Sequence, residues 1–156
     1  MKIEVFFAAE KNPDLFSRII MRVMRAPFSH VGLLINDEVI YDCVDEGFRK
    51  TDKDSFLAEH IFADIIDISK YQRVSDAEGI GFLEGRIGTP YAYRQLAGFL
   101  IPVLRGYLAD GISKQVCSEA AMYCITYLTS LRMEVAGFDW VDPVVVHNFL
   151  KGLKDA

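Results

Sequence analysis

The sequence predicts a single α+β domain in which mostly antiparallel strands pack against helices. Short runs rich in β-branched and aromatic residues predict strands, a hairpin signal joins two of these runs, and capped segments with an apolar face predict helices. The chain has 156 residues, of which 51% are hydrophobic, and this is enough for one full core. Because neither repeats nor linkers interrupt the pattern, we expect one domain over residues 1–156.

Four segments are predicted as strands. Residues 2–8 (KIEVFFA) alternate partly between polar and apolar types, and residues 61–68 (IFADIIDI) form a similar run. Residues 29–35 and 39–44 are joined by Asn-Asp-Glu, which is typical of a hairpin loop. The two middle strands are therefore expected to pair in the antiparallel direction.

The first helix is expected directly after the first strand. Asn12 is the predicted N-cap and Pro13 the first helical residue, and Pro27 ends the segment. The spacing predicts an apolar face made of Phe16, Ile19, Ile20 and Val23, opposite a stripe made of Arg18, Arg22 and Arg25. The arginine stripe is most simply a solvated helix face, and binding of an anionic substrate is the second interpretation.

Further helices are expected along the rest of the chain. Residues 52–60 can form a short helix, and Ser75 with Glu78 makes the capping box of a helix that runs to about Gly88. Residues 93–108 have a helical pattern that Pro102 interrupts. The strongest helical pattern begins at Cys117, and Asp142-Pro143 starts the last helix.

Composition excludes several classes of function. The net charge is −5 and no basic stripe dominates, which argues against nucleic acid as the main partner. Three scattered cysteines do not make a disulfide framework, and the absence of a C-x-x-C pair argues against a zinc site. We therefore expect no metal and no organic cofactor.

The chain also lacks the patterns of targeting and membrane segments. The N-terminus has one lysine and an apolar run that soon reaches acidic residues, unlike a signal peptide. The most apolar segment, residues 96–104, is far shorter than the about 20 residues that span a bilayer. We therefore expect a soluble, cytoplasmic protein with no transmembrane segment.

Cys117 and His30 are the strongest candidates for chemistry. Cys117 lies at a predicted helix N-terminus, where backbone N–H groups and the helix dipole stabilise a thiolate and an oxyanion. A nucleophilic cysteine needs a base within hydrogen-bonding reach. His30, at the edge of a strand that is otherwise apolar, is the obvious base.

The geometry of the predicted hairpin suggests a third member. If residues 36–38 form the loop, Ile35 pairs with Val39 and Gly32 with Asp42. Asp42 then shares a face with His30 as a diagonal neighbour and can orient the imidazole. A two-residue loop would instead place Cys43 beside His30, and both registers remain open at this point.

Several segments together resemble a known family. The segments FSRIIMRVMRAPFSHVGLLI, VIYDC and QVCSEAA, with GTPYAY upstream of the last, are similar to those of the circularly permuted papain-like cysteine enzymes. This NlpC-type group includes YiiX-like proteins and the lecithin–retinol acyltransferase relatives. The resemblance covers roughly residues 1–150, and its motifs SHVG and CSE are specific only in combination and order. In the group, the histidine strand precedes the cysteine helix, the reverse of the papain order.

The resemblance implies a role for each candidate. Cys117 matches the nucleophile, His30 the base, and Asp42 the position of the polar orienter, which is often Glu or His in relatives. Tyr91 and Tyr93 of GTPYAY match a segment whose side chains line the substrate cleft. The activities of the group include hydrolysis of peptide amides, often in cell-wall peptides, and acyl transfer or lipid hydrolysis.

Every candidate also has a simpler interpretation. Asp42 could be a solvated charge at a strand end, with Glu46 or a backbone carbonyl orienting His30 instead. The remaining residues are most simply structural, the cysteines and histidines as packing residues and the tyrosines as aromatics at the core rim: Cys43, Cys124, His60, His147, Tyr91 and Tyr93.

We therefore expect a thiol hydrolase that cleaves an amide, preferably in a peptide, through an acyl-enzyme. Two alternatives remain. One is the same chemistry on a lipid ester or thioester, and the other is a binding module that keeps the fold without turnover.

Overall fold

The computed structural model describes residues 1–91, 116–133 and 141–153. Within these ranges, the chain has five strands, five α-helices and one 3-10 turn, so the α+β prediction is confirmed. The strands are β1 (Ile3–Glu10), β2 (His30–Ile35), β3 (Val39–Val44), β4 (Gly47–Asp52) and β5 (His60–Asp67). The helices are α1 (Leu15–Met24), α2 (Lys53–Glu59), α3 (Asp76–Glu84), α4 (Cys117–Leu128) and α5 (Pro143–Gly152), and Ser69–Tyr71 form the 3-10 turn.

The five strands form one antiparallel sheet in the order β4-β3-β2-β1-β5. Four of these strands lie where the sequence predicts them. Strand β4 was not predicted, because only Phe48 in GFRKTD is strongly apolar and the later residues of the strand alternate between half-buried and exposed. An edge strand with one covered face needs few apolar residues, and its hydrophobic signal is therefore weak.

The sheet separates a large core from a small one. Alternate residues of β1–β3, such as Phe7 and Leu33, face the large core, where they pack against helix α4. The intervening residues, such as Phe6 and Leu34, face the small core around Phe56 of α2. This alternation follows from the period of two in a strand. It leaves the two faces of β2 and β3 in different environments, which decides where the candidate site lies.

The loop between β2 and β3 confirms the predicted register. Ile35 pairs with Val39 and Leu33 with Tyr41, which leaves the three residues 36–38 in the loop. Asn36 and Asp37 have left-handed φ values of 53° and 62°, a conformation that these two residue types tolerate. The Glu38 N–H donates to the Ile35 carbonyl and closes the turn.

Helix α1 differs from the prediction at its start. Its N-cap is Asp14, whose side chain accepts a hydrogen bond from the Ser17 N–H, so Asn12 and Pro13 lie before the helix. An Asp cap satisfies a backbone donor that Asn12 is too far upstream to reach. The predicted capping residue of α3 is confirmed, since the Ser75 side chain accepts from the Glu78 N–H, but that helix ends at Glu84.

The apolar face predicted for α1 is only partly covered. Ile20 is half-buried, whereas Ile19 and Val23 are exposed. Successive helical residues are about 100° apart, so a helix that turns Ile20 towards the domain turns Ile19 towards solvent. The helix predicted over residues 93–108 lies outside the described residues. Among the helices that are described, none combines the length and the apolar character required to cross a membrane.

Candidate active site

His30 and Asp42 form a hydrogen-bonded pair at one end of the sheet. His30 is the first residue of β2, and Asp42 lies on the neighbouring strand β3. His30 Nε2 is 2.8 Å from Asp42 Oδ2. The Asp42 side chain is fully buried and that of His30 is 14% exposed. The contact requires the register with a three-residue loop, as predicted, and Cys43 belongs to the large core instead.

Arg49 holds the other side of the Asp42 carboxylate, and sequence reasoning missed it. Arg49 Nε donates to Asp42 Oδ1 at 2.9 Å, and Nη2 lies 3.4 Å from Oδ2. Burial alone would raise the pKa of Asp42, but the hydrogen bonds and positive charges of His30 and Arg49 hold it below its usual range. The sequence feature that could have revealed this contact is the turn before Gly47. It allows β3 and β4 to pair, and in that pairing Asp42 lies opposite Arg49.

Cys117 lies in the first turn of helix α4, as predicted. It follows the N-cap residue Val116, and the whole residue is 7% exposed. Two contacts hold the start of this helix. The Val116 N–H donates to Glu119 Oε2 at 3.4 Å, and the Ser118 hydroxyl donates to the Val141 carbonyl. The first N–H groups of a helix have no intrahelical acceptor. The backbone N–H of Cys117 can therefore donate a hydrogen bond to an anion that lies beside the sulfur.

Cys117 and His30 line one cavity, and Cys117 favours the charged form of the His30 ring. Because Asp42 engages Nε2, Nδ1 is the ring nitrogen available to the sulfur. Burial of the ring disfavours its charged form, but the hydrogen bond to Asp42 and the interactions with Asp42 and Cys117 outweigh this, and the pKa of His30 is raised to about 10. The imidazole is therefore protonated at neutral pH when it is paired with these two groups.

Aromatic side chains surround the His30 ring on the small-core side. The ring centroids of Phe6 and Phe56 lie 6.0 and 6.2 Å from that of His30. Gly32 makes room for this arrangement, because a Cβ there would lie 2.6 Å from Phe6 Cζ. His60 stacks on Phe56 with centroids 4.2 Å apart, and its own pKa is lowered by burial and by the positive charge of His30.

An open cavity of about 510 Å³ is lined by both His30 and Cys117. His60, for which the sequence predicts a structural role, also lines it. Carboxylate side chains make up much of the remaining wall: Glu10, Asp14, Asp45, Glu46 and Glu59. Arg49 is also part of the wall, and the acidic residues outnumber the basic ones there.

Tyr91 lines the same cavity, where the sequence predicts a cleft residue. The backbone before it runs beside β4, since the Phe48 N–H donates to the Thr89 carbonyl and the Gly88 N–H to the Phe48 carbonyl. Gly47 permits this approach, because its φ is 110° and a Cβ there would lie 2.5 Å from the Thr89 oxygen. Tyr93, the other predicted cleft residue, lies outside the described residues.

The other cysteines and His147 have structural surroundings. Cys43 and Cys124 are buried in the large core, and burial raises the pKa of each thiol. Cys43 nevertheless reaches the cavity wall. His147 lies on α5, where Nε2 is 2.9 Å from Asp64 Oδ2 and the ring packs edge-on against Phe7.

The described residues include no group of three or more histidine, cysteine or acidic side chains placed to hold a metal ion. Comparison of the chain with models of known protein families and with curated proteins gives no match. An interpretation of the site therefore depends on its own geometry and chemistry.

Proposed function

We propose that the protein is a thiol hydrolase in which Cys117 is the nucleophile, His30 the acid and base, and Asp42 the group that orients His30. One observation carries this proposal. The His30 ring is hydrogen-bonded to the buried Asp42 carboxylate and lines the same open cavity as Cys117, which starts a helix there. A nucleophile, a base and an orienting acceptor in this order suit acyl transfer.

The first half of the reaction forms an acyl-enzyme. His30 Nδ1 takes the proton of the Cys117 thiol, and the thiolate attacks the carbonyl carbon of the substrate. The backbone N–H of Cys117 stabilises the oxyanion that develops on the carbonyl oxygen. As the bond to the leaving group breaks, the His30 imidazolium donates its proton to that group, and a thioester remains on Cys117.

The second half releases the acyl group. Neutral His30 accepts a proton from water, and the resulting hydroxide attacks the thioester carbonyl. The tetrahedral intermediate then collapses with Cys117 thiolate as the leaving group, which restores the thiolate and the imidazolium. Throughout the cycle, Asp42 accepts the Nε2–H hydrogen bond and keeps Nδ1 directed at the sulfur.

The acidic residues of the cavity wall indicate which charge on a substrate would fit. The excess of acidic residues in the cavity wall favours a positively charged or neutral group on the substrate and disfavours an anionic one. A peptide amide flanked by lysine fits this wall better than one flanked by glutamate. Cleavage of two peptides that differ only in this residue should show a higher kcat/KM for the lysine peptide, and added salt should reduce the difference.

Thiol labelling is the direct test of the nucleophile. Because Cys117 is paired with a protonated imidazole, iodoacetamide should modify it faster than Cys43 or Cys124 between about pH 6 and 7. The His30→Ala variant should lose this selectivity. Mass spectrometry of peptides after timed labelling measures all three rates in one sample.

Measurement of turnover is the second test of the nucleophile. Cys117→Ala should lower hydrolysis of a peptide and ester panel by at least roughly a thousandfold. Cys124→Ser, seven residues along the same helix, is the matched control and should retain activity if it folds. Equal slow labelling of all three cysteines, or turnover that survives Cys117→Ala, contradicts the proposal.

A further inference from the structure

Helix α1 presents an apolar stripe to solvent. Leu15, Ile19 and Val23 are 76%, 41% and 58% exposed, and their spacing of four residues puts them along one side of the helix. Among the described residues, six large hydrophobic side chains are strongly exposed, and half of them lie on this one helix. A cluster of exposed apolar side chains is typical of an interaction surface, whereas single exposed apolar side chains are common on any protein.

Arginines border the stripe on one side. Taking about 100° per residue, Arg18 and Arg22 lie roughly 60° and 20° from Leu15 around the helix, on the side away from Val23. Both are exposed, as is Arg25 at the C-cap. Residues 15–25 contain these three arginines and no acidic residue, although the whole chain has a net charge of −5. The positive charge is therefore concentrated beside the exposed apolar side chains.

We propose that this outward face of α1 docks the protein on an anionic lipid bilayer. The apolar side chains would enter the boundary between headgroups and acyl chains, while the arginines extend to the lipid phosphates. A bilayer offers apolar depth and negative charge along one plane, which matches a straight stripe with a cationic border. The acidic remainder of the protein is repelled by the same surface, so α1 also sets the orientation.

The opposite side of the same segment belongs to the cavity wall, since Asp14, Ser17 and Ile20 line the cavity beside Cys117. Docking through α1 would therefore hold this wall close to the membrane. The docking surface does not depend on the proposed hydrolase. Its test uses Cys117→Ala protein, which removes turnover of vesicle lipids without altering α1.

Cosedimentation with vesicles tests the proposal. The Cys117→Ala protein should bind vesicles that contain phosphatidylglycerol and should bind pure phosphatidylcholine vesicles much more weakly, and added salt should weaken the binding. Adding Leu15→Ser and Val23→Ser should lower the partition coefficient at least roughly tenfold. Adding Arg22→Gln should lower it roughly fivefold and reduce its salt dependence.

Matched variants elsewhere on the surface serve as controls. Ile87→Ser removes an exposed apolar side chain outside α1, and Lys70→Gln removes an exposed positive charge. Neither should change vesicle binding by more than about twofold. Circular dichroism checks that every variant is folded, and Arg22→Gln remains informative if the serine variant is unstable.

Three outcomes overturn the proposal. One is equal binding to the two kinds of vesicle, and another is equal binding by the α1 variants and their controls. The third is a dimer in solution that disappears with the Leu15→Ser and Val23→Ser changes while vesicle binding is absent, because a second copy of the chain would then cover the stripe.

Discussion

At the scale of single residues, His30 joins the buried carboxylate to the sulfur. Asp42 and Cys117 both favour the imidazolium, which is why burial does not leave the ring neutral. Arg49 has a complementary effect, because it donates hydrogen bonds to the same Asp42 carboxylate that His30 contacts. The proposed catalysis therefore depends most strongly on the charge of His30.

The alkaline limit of activity should report this charge. Loss of the His30 proton removes the donor to the leaving group, so kcat/KM should fall with an apparent pKa near about 10. Asp42→Asn removes a negative partner and should move this limit to lower pH. A pH series of kcat/KM for both proteins measures the shift, and an alkaline limit that Asp42→Asn leaves in place contradicts the assigned pairing.

Asp42→Asn should also lower kcat/KM at neutral pH on the order of a hundredfold, less than Cys117→Ala. A neutral amide stabilises the imidazolium less and can favour the wrong tautomer. Arg49→Gln is the graded comparison and should cause a smaller loss, because Arg49 acts on His30 only through the Asp42 carboxylate. If Asp42→Asn retains full kcat while His30→Ala abolishes it, another group orients His30.

At the scale of elements, β2 positions His30 through a residue that has no side chain. Gly32 lets the Phe6 ring lie across the strand, and Phe6 in turn packs near the His30 ring. A methyl group at residue 32 would also lie 2.8 Å from the Tyr41 carbonyl oxygen, which is backbone and cannot move aside cheaply. Packing in the small core and the position of the imidazole are thereby linked.

Gly32→Ala should therefore destabilise the protein by about 1–3 kcal/mol. Thermal unfolding should show this as a decrease in Tm of about 2–4 °C for each kcal/mol. The displaced Phe6 ring should also disturb His30, so kcat should fall in protein that remains folded. Gly81→Ala is the control, since a Cβ at residue 81 meets no atom within 4 Å. An unchanged Tm for Gly32→Ala would refute the packing argument.

At the scale of the whole molecule, the same histidine makes stability depend on pH. The pKa of His30 is raised from 6.5 to about 10 in the folded state. The stabilising contribution is therefore fully present below about pH 6.5 and is lost as pH rises towards 10. The contribution of Asp42 to stability has the opposite pH dependence, because its pKa is lowered in the folded state. This contribution is present above the ordinary pKa of 3.8 and is lost in acid.

Urea unfolding at a series of pH values should separate these contributions. Between about pH 6.5 and 10, the free energy of unfolding should decrease more steeply for wild type than for His30→Gln, and their difference isolates the histidine from the buried thiols. We expect a difference of about a few kcal/mol across this range. Parallel curves for the two proteins would mean that His30 is not charged in the fold.

The sequence alone determined the features that neighbouring residues encode. The three-residue loop, one of the two registers that the sequence allowed, brings His30 to Asp42, and Asn36 and Asp37 tolerate its left-handed φ values. The helical periodicity that begins at Cys117, together with the polar loop before this residue, correctly predicted that Cys117 lies at a helix start. These predictions succeeded because backbone preferences and periodicity act over a few residues.

Only the tertiary structure decided which partners these residues meet. Arg49 reaches Asp42 because β4 pairs at the edge of the sheet, and a mostly polar edge strand has too weak a pattern to be recognised in advance. Likewise, the amphipathic pattern of α1 did not reveal that Ile19 and Val23 face outward, since periodicity defines a helix face but not what covers it. Local sequence specifies the shape of a segment, whereas its surroundings depend on segments far away in the chain.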